Sequence, residues 1–222
     1  MLKCETTKLF YGQYVYKIVI RNEIAHLFRE KNYTWAKYSL DKLQAQLEEG
    51  VDPLHFVRGQ RWAAVSISDF LTAQKLFHEF TNFDNCKLRV ENPWLSVYSN
   101  DIKWLENLAS KVGDSCQEFW EPNSKNIKLL ESNTIISYSI KDYKYKVTLG
   151  SKTCPNFINW VDSNRDKIKI GKKTYEAIND NCYTKGLYFY VRDEKVLNLI
   201  NLIIGPAAQR IDKIVYQTKT DK

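Results

Sequence analysis

The sequence predicts an α+β protein made of two related halves, each an antiparallel sheet covered by helices. Three observations favour this class. One strand pattern occurs twice, a strand-then-helix pattern occurs twice in the same order, and a hydrophobic content of 44% supplies enough residues for packed cores. Each half ends in a strand–helix–strand unit. A tandem ferredoxin-like arrangement, with the halves related by a pseudo-twofold axis, is the topology this order favours.

The first repeated pattern is a tyrosine-rich strand. Residues 14–20 read YVYKIVI and residues 143–149 read YKYKVTL, so both follow Tyr-x-Tyr-Lys with alternating apolar residues. Such alternation is typical of a strand with one buried face. A turn and an apolar run precede each copy. Each copy is therefore predicted to be the second arm of a β-hairpin.

The second repeated pattern aligns residues 97–105 with residues 189–197. Both copies contain a strand, then an aspartate, then an amphipathic helix, so Asp101 and Asp193 are predicted to cap helix N-termini. Matching positions are 129 residues apart in the first pattern and 92 in the second, which leaves 37 extra residues in the first half. Residues 33–61 are the predicted insert, with a helix over 34–49.

A turn at Pro122 to Ser124 divides the chain into predicted domains 1–122 and 123–222. No apolar stretch approaches the roughly 20 residues of a membrane span, and the first residues lack the apolar core of a signal peptide. The five cysteines have no paired spacing, which predicts reduced thiols rather than zinc ligands. We therefore expect a cytoplasmic protein with no cofactor, no metal and no membrane partner.

Positive charge is concentrated in the second half. The formal net charge is +7, but residues 1–122 hold 15 basic and 16 acidic side chains, whereas residues 123–222 hold 18 and 10. This asymmetry predicts a polyanionic partner on one side of the molecule. The alternative is that the lysines only keep the protein soluble.

Seven lysines of the second half fall in positions suited to phosphate binding. Lys144 and Lys146 are predicted to share the exposed face of a strand, and Lys167 and Lys169 to project together from a short strand. A helix is predicted to begin at Lys172 and Lys173, where free backbone N–H groups favour a phosphate. Lysines suit backbone contacts without much base reading. The predicted phosphate-binding residues are Lys141, Lys144, Lys146, Lys167, Lys169, Lys172 and Lys173.

Arginines and aromatic residues add a second set of candidates. A loop in the inserted region combines Arg58, Arg61 and Trp62 and is predicted to bind a nucleic-acid strand or a protein partner. Aromatic side chains can stack on bases, although most aromatic residues in a chain of this size belong to its core. The stacking candidates are Trp62, Trp94, Trp120, Trp160, Tyr183 and Tyr188.

The principal functional hypothesis is a non-enzymatic nucleic-acid-binding protein, with RNA and DNA both open. One alternative is a viral or phage accessory or structural protein acting through protein–protein contacts; the 25 lysines against 8 arginines are typical of an AT-rich genome. A second is a metal-dependent nuclease using Asp142 with Asp114 or Glu131. An enzyme is not favoured, because the sequence contains neither a nucleophile elbow nor a phosphate-binding glycine loop.

Overall fold

The computed structural model describes residues 1–57, 61–154 and 156–218, with the backbone alone at 54–57 and 61–63. The chain divides into two compact units, Met1–Thr6 with Gln13–Asn123 and Thr7–Gly12 with Ser124–Lys222. Each unit contains a five-stranded mixed sheet packed against helices. The α+β prediction with two related halves is confirmed.

The first unit has a sheet in the order β1-β7-β2-β6-β5 and a separate β3–β4 hairpin. Its strands are β1 (Leu2–Thr6), β2 (Tyr16–Arg21), β3 (Leu54–Val57), β4 (Arg61–Ala64), β5 (Cys86–Glu91), β6 (Trp94–Ser99) and β7 (Cys116–Pro122). Its α-helices are α1 (Tyr33–Glu48), α2 (Ile67–Asn82) and α3 (Ile102–Val112). Ile18 and Val97 on the sheet, Phe80 on α2 and Leu105 on α3 belong to one buried core.

The second unit has a sheet in the order β10-β11-β9-β12-β8. Its strands are β8 (Thr134–Ser137), β9 (Tyr145–Leu149), β10 (Ile168–Ile170), β11 (Tyr188–Val191) and β12 (Ala208–Tyr216). Its α-helices are α4 (Asn156–Asp162), α5 (Lys172–Asn179) and α6 (Glu194–Ile204). Val147 and Phe189 on the sheet form a core with Phe157 on α4, Ile178 on α5 and Ile200 on α6.

The predicted ferredoxin-like strand order is present in both units. In the first, β2 lies between β7 and β6, with β5 beyond β6; in the second, β9 lies between β12 and β11, with β10 beyond β11. These four strands follow the order 4-1-3-2 of a β-α-β-β-α-β unit. A fifth strand, β1 or β8, extends each sheet at the side of its last strand.

The predicted hairpins and the wholly antiparallel sheets are wrong. β1 pairs with β7 and β8 with β12, both in parallel, so the last strand of each unit lies between the two predicted hairpin arms. The chain from Thr6 to Tyr16 is longer than the two to five residues of an ordinary hairpin loop, and so it leaves room for a strand between. Alternation identifies a strand but does not identify its neighbour.

The strand register supports duplication residue by residue. Tyr16 pairs with Ser99 in the first sheet and Tyr145 with Val191 in the second, which keeps both separations seen in the sequence. The last strand of each unit carries an irregularity at the equivalent point. The ring pairs Tyr14–Tyr98 and Tyr143–Tyr190 are equivalent in this alignment, and both have centroids 6.4 Å apart.

The 37 extra residues are a net difference. Cys86 pairs with Ser99, and Ile168 with Val191, so these strand positions are 82 residues apart. The first unit therefore carries 47 extra residues between β2 and β5, where α1 confirms the predicted inserted helix. The second unit carries 10 extra residues between β10 and β11, where it has α5.

None of the helices in the described residues is long and apolar enough to cross a membrane.

Both predicted helix caps are present. Asp101 and Asp193 each accept a hydrogen bond at 3.0 Å from the backbone N–H three residues on, at the starts of α3 and α6.

We expect Asp193→Ala to lower the free energy of unfolding by about 1 kcal/mol, because a first-turn N–H loses its acceptor. Asp193→Asn keeps an acceptor and should stay near wild type in urea denaturation. Equal losses in the two variants would contradict the capping role.

Candidate nucleic-acid interface

The second sheet has one face covered by helices and one that carries polar and aromatic side chains. Val147 and Leu149 on β9, with Phe189 and Val191 on β11, belong to the core formed with α4, α5 and α6. Because neighbouring residues of a strand point to opposite faces, the residues between them point away from those helices. We call this second surface the helix-free face.

Two rows of side chains cross the helix-free face. In the first, Lys169, Tyr190 and Lys146 are register neighbours on β10, β11 and β9, and Asp212 on β12 follows Lys146. In the second, Tyr188, Thr148 and Arg210 are register neighbours on β11, β9 and β12. The first row thus places the Tyr190 ring between two lysines, and Tyr188 lies in the adjacent row on the same strand.

Tyr188 is the most exposed aromatic residue of these rows, with 43% of its surface accessible. The Lys146 Nζ lies 3.9 Å from the centroid of the Tyr188 ring, a close cation–π contact. The Tyr190 ring meets Tyr188 edge to face, with centroids 5.6 Å apart. Two neighbours therefore hold the ring in position while much of it faces solvent.

The start of α5 adds two lysines beside this ring. The Thr174 hydroxyl donates to the carbonyl oxygen of Tyr188 at 3.2 Å and so ties the helix to β11. A cavity of about 400 Å³ is lined by residues of β10, β11 and the start of α5, including Lys169, Lys172, Lys173, Tyr188 and Tyr190. We call Lys146, Lys169, Lys172, Lys173, Tyr188 and Tyr190 the lysine–tyrosine face.

The charges on this face differ in how they are held. Burial, with smaller contributions from Lys8 and Arg210, lowers the pKa of Lys146, and Asp212 acts in the opposite direction. Arg210 Nε donates to the buried Asp212 carboxylate at 2.6 Å. The Lys172 Nζ lies 3.8 Å from Glu176 Oε1 in an exposed ion pair, which contributes little to stability. Burial, followed by interaction with Tyr188, raises the pKa of Tyr190, so that ring stays neutral.

Lys141 and Lys144 lie in different surroundings from the lysine–tyrosine face. Both are exposed in the segment before β9. Lys144 lines a cavity of about 540 Å³ with Arg192 and the acidic residues Asp142, Asp166 and Asp193. The three carboxylates offset the positive charge there and would repel a phosphate.

Lys167 takes part in local structure. Its Nζ donates to Asn164 Oδ1 at 2.8 Å, in the turn that leads into β10. The predicted strand partner Lys169 is exposed on β10 itself. The two residues thus differ in their contacts, and Lys169 is the one that lines the cavity beside α5.

The loop candidates cannot be placed in the same way. Arg58 lies outside the described residues, and Arg61 and Trp62 lie on β4, where only the backbone is described. Asp142, the residue of the nuclease hypothesis, is exposed beside Asp166. Across residues 1–57, 61–154 and 156–218, no group of three or more His, Cys, Asp or Glu side chains could hold a metal ion. The loop and nuclease assignments both stay predictions.

The first unit has an equivalent row with different surroundings. Lys87, Tyr98 and Lys17 are register neighbours on β5, β6 and β2, at the positions of Lys169, Tyr190 and Lys146. Tyr98 is buried, however, and the position of Tyr188 is occupied by Ser96. The exposed tyrosine next to this row is therefore a feature of the second unit, at a position where the first unit has Ser96.

No family model, no curated protein and no solved structure matches this chain. Sequence reasoning included Tyr188 among the stacking candidates but missed Tyr190, Arg210 and Asp212. The period-two pattern Tyr188-x-Tyr190 could have indicated that two rings share a face.

Proposed function

We propose that this chain binds nucleic acid through the lysine–tyrosine face of its second unit and does so without catalysis. The observation that carries the proposal is one cavity in which three lysines adjoin two tyrosines, of which Tyr188 is 43% exposed. Lysines provide point charges for phosphates, and aromatic rings provide surfaces for bases. A cytoplasmic location, in a host cell if the protein is viral, belongs to the same proposal.

Four other cations of the second unit differ from this set, because each is engaged within the protein or offset by acids. Lys144 and Arg192 lie among three aspartates, Lys167 bonds to Asn164, and Arg210 bonds to Asp212. Within the described residues, Lys169 and Lys173 are in no ion pair. Their charge is available to a phosphate at no cost in broken contacts.

We expect the triple variant Lys169→Gln, Lys172→Gln, Lys173→Gln to bind labelled nucleic acid about 10- to 100-fold more weakly than wild type, because three phosphate contacts are lost. The slope of log affinity against log salt should become about 2 units shallower. Fluorescence anisotropy with single- and double-stranded RNA and DNA at several salt concentrations measures both quantities.

The matched control is Lys128→Gln, Lys195→Gln, Lys213→Gln, which removes the same charge from exposed positions outside the face. It should retain most of the affinity. Equal losses in the two triple variants would show a diffuse charge effect and contradict the assigned face. Absence of binding to all four polymers at low salt, with a nuclease-resistant protein complex in a pull-down, would favour the protein-interaction alternative.

A further inference from the structure

We infer that the polymer bound by the lysine–tyrosine face is single-stranded, and that Tyr188 stacks on one of its unpaired bases. This inference rests on the proposed function and adds the form of the ligand to it. It depends on three features of the described residues: the position of the Tyr188 ring, the placement of lysines on both sides of the tyrosine strand, and the engagement of Arg210.

The Tyr188 ring is held in place before any ligand arrives. Lys146 lies over the ring and Tyr190 meets it edge to face, yet 43% of Tyr188 is accessible. A ring already held by its neighbours loses little conformational freedom on binding, which favours stacking. The nearby ammonium group adds positive charge where a nucleotide would sit.

The layout of the sheet suits bases facing the protein with phosphates to either side. β11, which carries both tyrosines, is an inner strand between β10 and β9. Lys169 and Lys146 lie on these flanking strands, so their backbones are roughly 10 Å apart at the usual strand spacing. A single strand can turn its bases to the rings and its backbone to the lysines.

A duplex cannot use this surface in the same way, because its bases are already stacked and paired inside the helix. Tyr188 lies on an inner strand, held down by Lys146 and Tyr190, and is not a projecting wedge that could open a base-pair step. The lysines alone would remain to contact a duplex. Stacking is thus the contact that separates the two forms of ligand.

Base-edge reading has little support on this face. Arg210, the arginine of the second row, donates to Asp212 and is engaged within the protein. Lysine contacts to phosphates and ring stacking on bases both tolerate any sequence. We therefore expect weak sequence preference, with RNA and DNA single strands distinguished by the arms of the experiment.

The test compares three ligands of equal length: a single strand, its duplex, and an abasic strand that keeps the phosphates. Each ligand is made as RNA and as DNA. Anisotropy titrations use the full chain as wild type, Tyr188→Leu and Tyr188→Phe. Tyr183→Leu is the matched control, since Tyr183 is 68% exposed and lies outside the face. Circular dichroism confirms that each variant is folded.

We expect Tyr188→Leu to bind the single strand about 5- to 150-fold more weakly, the factor for one base–aromatic stack, with Tyr188→Phe close to wild type. The loss should disappear with the abasic strand, because the ring then has no base to contact. Tyr183→Leu should behave as wild type.

Two results would overturn the inference, and only one of them also contradicts the proposed nucleic-acid binding. If the duplex binds as tightly as the single strand and Tyr188→Leu weakens neither, the ligand is not selected by stacking, while the proposed nucleic-acid binding stands. If no polymer binds even at low salt, the proposed function fails, and the inference fails with it.

Discussion

Replacing Phe189 by alanine is expected to lower the free energy of unfolding of the second unit by about 3–5 kcal/mol. Phe189 is fully buried on β11, and its ring lies 5.2 Å from that of Phe157 on α4. The truncation removes apolar contacts and leaves a cavity that a close-packed core fills only incompletely. Urea denaturation followed by circular dichroism measures the change.

The neighbouring residue on the same strand provides the control. Tyr188 points to the opposite face, so Tyr188→Ala should cost about 1 kcal/mol or less, the value for losing its partly exposed ring contacts. The comparison tests the register of β11, because a shift by one residue would exchange the two faces. A larger loss for Tyr188→Ala than for Phe189→Ala would contradict the strand orientation on which the candidate interface depends.

Replacing Asp212 by alanine is expected to lower the free energy of unfolding by about 3 kcal/mol. The Asp212 carboxylate is buried, accepts from Arg210 at 2.6 Å and is the register partner of Lys146. Its removal leaves cations together without the acid that offsets them. Because Arg210 itself is partly exposed, the loss should fall at the lower end of the range for a broken buried pair.

A second measurement distinguishes this electrostatic role from simple loss of packing. Asp212 is the group that raises the pKa of Lys146 against the lowering effects of burial and of Lys8 and Arg210. We therefore expect Asp212→Asn, which keeps the shape, to move the pKa of Lys146 further below that of an ordinary lysine. NMR titration of the lysine side chains measures it, with Glu176→Gln as an exposed-acid control. An unchanged Lys146 pKa together with wild-type stability would contradict the role of Asp212.

Much of the fold could be predicted from the sequence because each unit repeats a strong local pattern. The alternation around Tyr16 and Tyr145 identified equivalent strands, and Asp101 and Asp193 identified the starts of two helices. The position of β1 beside β7 could not be predicted, because strand neighbours depend on long-range packing that a local pattern does not contain.

The candidate interface was only partly predictable for a related reason. Periodicity placed Lys146 and Lys169 on strand faces, but the distinction between the lysine–tyrosine face and the acidic surroundings of Lys144 depends on which loops meet at the strand ends. Asp212, which is distant in sequence, raises the pKa of Lys146 against the lowering effect of burial. These neighbours become visible only once β9, β11 and β12 are side by side.

The most direct test of the proposed interface is an NMR titration of the isotopically labelled full chain with a single-stranded oligonucleotide. We expect the largest shifts of backbone amides at Lys146, Lys169, Tyr188 and Tyr190 and in the first turn of α5. Amides on the exposed sides of α4 and α6 should change little. Shifts confined to other surfaces, or no shifts at low salt, would contradict binding through the lysine–tyrosine face.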